Sequence, residues 1–281
     1  TGIVSKYLTT EEVAKPKTNA VFEAVLSLPY QEKPLPVWTS NLGLDKYNRL
    51  SREVRDAAID GADPISLSST AASSNRVSNN NADTVTKAYI SQFSNGSRDA
   101  VYDENPESVE RLVWSSILDS GTTITCGVRS QKEYNAKTKE PINHDLPWGD
   151  GPGKIHWGCR SVPIPINDSG VIVSGSGAGE KFDEGTRTAI GAESGYERGG
   201  DLNVDGNRSK IPSTKNQLEK QLIPANVTYE DWLRTQPRAF IEDALGKGKA
   251  ELFINKKVPL QSFAVEDGTE LTLEQLINKV A

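Results

Sequence analysis

Apolar residues recur at helical spacing in several stretches of this chain, separated by segments where they do not. Leu50, Val54, Ala57 and Ala58 predict a first helix over about 45–60, stopped by Gly61 and Pro64. Val85, Tyr89, Phe93, Gly96 and Ala100 form one stripe and predict a longer helix over about 82–103. The run 109–117 that follows Pro106 is dense in β-branched and aromatic residues and reads as a strand. Near the end, Thr228 stands three residues before Asp231, a spacing that lets the hydroxyl and the carboxylate cap a helix start reciprocally. Trp232 and Leu233 are expected to face inward from it, with Pro237 ending or restarting the helix. Phe240, Ile241, Ala244 and Leu245 make the next stripe, with Gly246 as its left-handed end. A last helix opens at Thr272, with Gln275 in the matching capping position and Leu273, Leu276, Ile277 and Val280 on one face.

Between these stretches the pattern breaks down. Pro16, Pro29, Pro34 and Pro36 predict an extended N-terminal arm over 1–44. Ser and Asn dominate 66–81, which reads as a surface loop. Gly and Ser are frequent from 167 to about 220, which reads as an arm or linker. The expected fold class is therefore α+β: a helical N-terminal part, a small mixed core with short strands over 45–166, a Gly-rich extended arm, and a C-terminal helical module over 221–281.

With 281 residues, 36% of them hydrophobic, the chain is long enough to bury a sizeable core. Its formal charge of −6 argues against a broad basic surface for duplex DNA. Lys247, Lys249, Lys256 and Lys257 leave room for a local contact with nucleic acid. No apolar run approaches the roughly 20 residues that a bilayer-spanning helix needs, so no membrane partner is expected. No secretory leader is read at the start. The sequence contains no methionine, so an initiator is expected to have been removed, or the chain to be a fragment.

Chemistry concentrates between 114 and 165. Trp114 begins a run through Leu118, Asp119, Ser120 and Thr123 to Cys126; some thirty residues later His156, Cys159, Arg160 and Pro163 follow. Together these positions resemble the core of the Mu F-like phage minor head proteins, where a Trp, a Leu-Asp-Ser turn with Thr and a Cys precede His-x-x-Cys-Arg and a proline-bearing strand. Asn95, Arg98 and Tyr102 resemble the family's preceding helix, and the Thr-Tyr-Glu-Asp-Trp-Leu tail resembles its short helical tail. Many members carry further cysteines; here Thr123 or Ile124 stands near the earlier position and Ser161 at the later one. The resemblance implies a structural protein of the virion, acting in head assembly near the portal vertex and in DNA packaging or ejection. Its implied partners are the portal or major capsid protein and further copies of itself, as a homo-oligomer or ring.

Three readings of the cysteines and histidine stand side by side. Cys126, His156 and Cys159 are ligands suited to zinc, with Asp119 as fourth and His144 behind it. Alternatively they are structural without metal: His156 donates to a backbone carbonyl, Arg160 clamps Asp119 in a bidentate pair, and both thiols are buried. A Cys126–Cys159 bridge ranks last, because phage heads assemble in a reducing cytoplasm. The alternative function is a phage-borne enzyme, a cysteine hydrolase or transferase using Cys126 with His156 and Asp119. No nucleophile elbow, phosphate loop, HExxH or dinucleotide fingerprint occurs.

Overall fold

The computed structural model of the chain describes residues 37, 38, 40–45, 48, 88, 91, 94–96, 98–173, 178–194, 196 and 218–280. It is an α+β structure with short antiparallel strands and short helices, divided into two compact units.

The first unit comprises Asn105–Pro152 and Arg160–Ala281. Its sheet has four strands in the order β3-β2-β1-β4: β1 (Arg111–Ser115), β2 (Glu133–Asn135), β3 (Pro141–Ile142) and β4 (Val162–Ile166). The expected strand over 109–117 is thus present as β1. Leu112, Val113 and Trp114 are all buried, because β1 is flanked on both sides and covered on both faces. Burying Leu112 and Val113 stabilises the fold by roughly 1.5–3 kcal/mol each. β4 contains Pro163 and Pro165, tolerable in a strand at the sheet's edge. On its side away from β1, the Pro165 carbonyl accepts the Val173 N–H at 3.1 Å.

A second sheet pairs β5 (Thr186–Ala192) with β6 (Leu218–Pro224) through seven residues on each strand. This corrects the expected arm over 167–220, which contains a full strand, and the boundary at 220/221 falls inside β6. Ala189 has no exposed surface, and the Ile190 N–H donates to the Leu118 carbonyl at 2.7 Å.

Helices follow the turn at Leu118 and occupy the tail: α1 (Ile124–Gly127), α2 (Tyr229–Arg234), α3 (Arg238–Leu245), α4 (Lys247–Ile254) and α5 (Leu273–Val280). The caps fall where the side chains require. The Thr228 hydroxyl accepts the Asp231 N–H at 3.1 Å and donates to the Asp231 carboxylate at 2.7 Å. Thr272 and Gln275 make both arms of a capping box, at 2.8 and 3.2 Å. Gly246 has positive φ (77°), but its ψ of 152° is extended, so it joins α3 to α4 without the expected left-handed turn. On α5 the predicted stripe is divided: Leu276 is fully buried, whereas Leu273 and Ile277 are exposed. Leu118, Ile124, Val128 and Leu146 share one hydrophobic cluster with Trp232, Phe240, Phe253, Phe263 and Leu276, so the tail is part of the main core.

The second unit comprises residues 14–104 and Gly153–Cys159. Residues 37, 38 and 40–45 are helical where described, so the end of the expected arm over 1–44 is helix rather than extended chain; residues 1–36 and 39 lie outside the described residues. Of the helix expected over 45–60, residues 45 and 48 are described and helical; the rest, like the loop over 66–81, lies outside the described residues. In the next stretch residues 88, 91, 94–96 and 98–103 are helical. Among the described residues Ala88, Asn95 and Tyr102 are buried and Gly96 and Ala100 of the predicted stripe are half-buried; Val85, Tyr89 and Phe93 lie outside the described residues.

Candidate metal centre

The two cysteines reach their places by different means. Cys126 lies in α1, a single turn whose start is capped by Thr123: the hydroxyl accepts the Cys126 N–H at 3.4 Å. The Cys126 carbonyl accepts the Ser116 hydroxyl at 2.7 Å, which holds the turn to the end of β1. Ser161 is buried and donates to the Ser116 hydroxyl at 3.4 Å.

Cys159 closes the loop Gly153–Cys159, seated on the helical residues of its own unit. The Ser91 hydroxyl donates to the Cys159 carbonyl at 3.2 Å, Lys154 faces Asp99 at 3.8 Å, and Trp157 meets Trp38 edge to face at 4.9 Å. Gly153 is required here twice over. Its φ is +79°, and a Cβ would come within 1.9 Å of the buried Asn95 amide nitrogen. In return, the Gly153 N–H donates to the Cys159 sulfur at 3.2 Å.

His156 is oriented by its Nδ1, 2.9 Å from the Trp157 carbonyl. A carbonyl only accepts, so Nδ1 carries the proton and Nε2 is the basic nitrogen. The Cys159 N–H donates to the His156 carbonyl at 3.1 Å, which folds histidine and cysteine into one turn.

Cys126, His156 and Cys159 each offer one donor atom of a type that zinc takes, Cys126 from α1 of the first unit and His156 with Cys159 from one turn of the second. The two cysteines form no disulfide and are buried, and the histidine is half-buried.

Two residues expected nearby do other work. Asp119 receives the Arg160 guanidinium in a bidentate pair, at 2.6 and 2.8 Å, and also accepts the Gly121 N–H at 3.0 Å. It is the anchor of its turn, and it is not part of the three-residue group, which corrects its reading as fourth ligand. His144 belongs to the sheet: its Nε2 donates to the Glu133 carbonyl at 2.9 Å, its ring lies edge to face with Tyr134, and burial pushes its pKa below 6.5.

Sequence reasoning missed the Gly153 N–H on sulfur and the floor made by Ser91 and Asn95. The Gly151-Pro152-Gly153 run was the available signal for a tight approach of backbone to a neighbour. No protein family, characterised protein or solved structure matches the chain.

Proposed function

We propose that this chain is a structural component of a phage head, of the Mu F-like minor head type, in which Cys126, His156 and Cys159 hold a zinc ion. The observation that carries the reading is how the two halves of the motif are used. Leu118 and Asp119 from the first half and Arg160 and Pro163 from the second build one turn and one strand edge. The bidentate Asp119–Arg160 pair spans 41 residues of sequence. Asp119 also accepts the Gly121 N–H, so the pair holds a turn of backbone, as suits a scaffold.

The donor set fits zinc: two thiols and an imidazole, with one sulfur already receiving a backbone N–H. Bound zinc would supply a cross-link between its ligands, displacing the thiol protons. The partners are the portal or major capsid protein and further copies of the chain. Contact with packaged DNA falls to the exposed Lys256 and Lys257 rather than to Lys249, which is paired with Glu270 and has a side chain only 12% exposed.

Two experiments test the two halves of the reading. The chain should be found by mass spectrometry in purified virions of the phage encoding it, and deleting it should lower the yield of filled heads. Absence from virions with normal head yield overturns the head assignment. Elemental analysis of the purified protein should give about one zinc per chain, lost in Cys126→Ser and Cys159→Ser. A value near zero overturns the metal and leaves the head assignment standing.

A further inference from the structure

β6 is the outer strand of its two-stranded sheet: β5 takes its inner edge, and no described residue pairs with its outer edge. Its side chains alternate. Gln221 and Ile223 are half-buried, Ile223 against the core. Leu218, Lys220 and Leu222 lie on the opposite, open face, with Leu218 49% and Leu222 77% exposed. Across the ribbon Leu222 stands opposite Thr188 and Lys220 opposite Ile190, so no carboxylate faces Lys220 from the paired strand. Lys220 makes no ion pair among the described residues. The open face therefore reads apolar, cationic, apolar beside a row of backbone donors and acceptors that no described residue uses.

An open edge of this kind templates strand addition, and a lysine in its middle decides which strand is admitted. Two copies of β6 would pair antiparallel about a two-fold axis. The register that sets Leu218 against Leu222 then sets Lys220 against Lys220, like charges directly opposite. Self-pairing is disfavoured by the same residue that favours an acid.

We propose, independently of the head-protein reading, that the outer edge of β6 accepts an extended segment of a different protein as a third strand. The segment carries an acidic residue between two apolar residues, each two positions away, so that its side chains meet Leu218, Lys220 and Leu222 in turn. Main-chain hydrogen bonds supply the attachment, and the charge supplies the selection.

The probes are two fluorescein-labelled peptides, Thr-Val-Thr-Glu-Thr-Val-Thr and the same sequence with Lys in place of Glu, titrated against the full chain by fluorescence anisotropy. The acidic peptide should bind saturably and about tenfold more tightly than the basic one, the span between an opposite-charge and a like-charge cross-strand pair. Lys220→Glu should reverse the preference, and Leu222→Ser should weaken both peptides. Lys220 and Leu222 are exposed, so both variants should keep the wild-type circular dichroism. Equal binding of the two peptides, a preference unchanged by Lys220→Glu, or no saturable binding up to millimolar peptide overturns the proposal. A wild-type dimer in analytical ultracentrifugation that Lys220→Pro abolishes also overturns it, and makes the occupant a second copy.

Discussion

Arg129 is only 1% exposed and makes no ion pair among the described residues. Its Nε donates to the Pro147 carbonyl at 3.1 Å, Nη1 to the Thr125 carbonyl at 2.9 Å, and Nη2 to the Asp267 carbonyl, while its plane lies 5.6 Å from the Trp114 ring centroid. One side chain thus ties α1 and the loop before Trp148 to the turn ahead of α5. Arg129→Met keeps the length and removes every donor. Three charge-assisted bonds at roughly 1.5–3 kcal/mol each give a gross loss of about 4–9 kcal/mol. Part returns because the guanidinium no longer has to be desolvated, the cost that pushes its pKa down. The expected net loss is about 3–5 kcal/mol, read as a shift of the urea midpoint at unchanged slope. Arg129→Lys should recover less than half, since an ammonium cannot fork to three carbonyls. Gly268 offers an independent handle: its φ is +80°, and a Cβ there would lie 2.2 Å from Arg129 Nη1. Gly268→Ala should therefore cost markedly less in the Arg129→Met background than alone. A loss below about 1 kcal/mol for Arg129→Met, or strict additivity with Gly268→Ala, refutes this account.

Three further outcomes follow from the same packing. Gly127→Ala puts a Cβ 2.7 Å from Tyr229 Cδ1 at the join of α1 and α2, and should destabilise by about 1–3 kcal/mol in chemical denaturation; an unchanged midpoint would show that the two helices separate freely. Thr272→Ala removes one arm of the α5 capping box and should cost about 1 kcal/mol, with amide exchange rising first at Gln275. His144 is held neutral by burial, with its folded pKa below 6.5, so the unfolded chain takes up the proton first. Its contribution is complete above pH 6.5 and is lost as pH falls towards the lower folded value. The drop in stability from pH 7 to pH 5 should be smaller in His144→Phe than in the wild type, and an equal drop would contradict the assignment.

Much of the tail was legible because its signals are local. Thr228 with Asp231 and Thr272 with Gln275 each act within four residues, and Pro237 stops a helix by its own missing N–H. β1 was legible from the density of Leu112, Val113 and Trp114, and the Arg160–Asp119 pair from complementary chemistry. β5 was not, because Thr-Arg-Thr-Ala-Ile-Gly-Ala is small or polar everywhere but at Ile190 and becomes a strand only by pairing with residues about 30 positions away. Nor was the place of Asp119 outside the candidate metal group, since a carboxylate near cysteines reads as a ligand until its guanidinium partner is located. Arg129 was invisible for a related reason: a cation in sequence suggests surface, and only the converging carbonyls of Thr125, Pro147 and Asp267 make burial tolerable.

The two prolines of β4 have a consequence for crowding. With no N–H at 163 and 165, the outer side of that strand lacks half of the alternating donors and acceptors that a new strand would read. At the other end of the sheet β3 is two residues long. Both borders of the four-stranded sheet are therefore poor templates. Many copies can be concentrated in a small volume without polymerising through it, and growth by strand addition is left to β6.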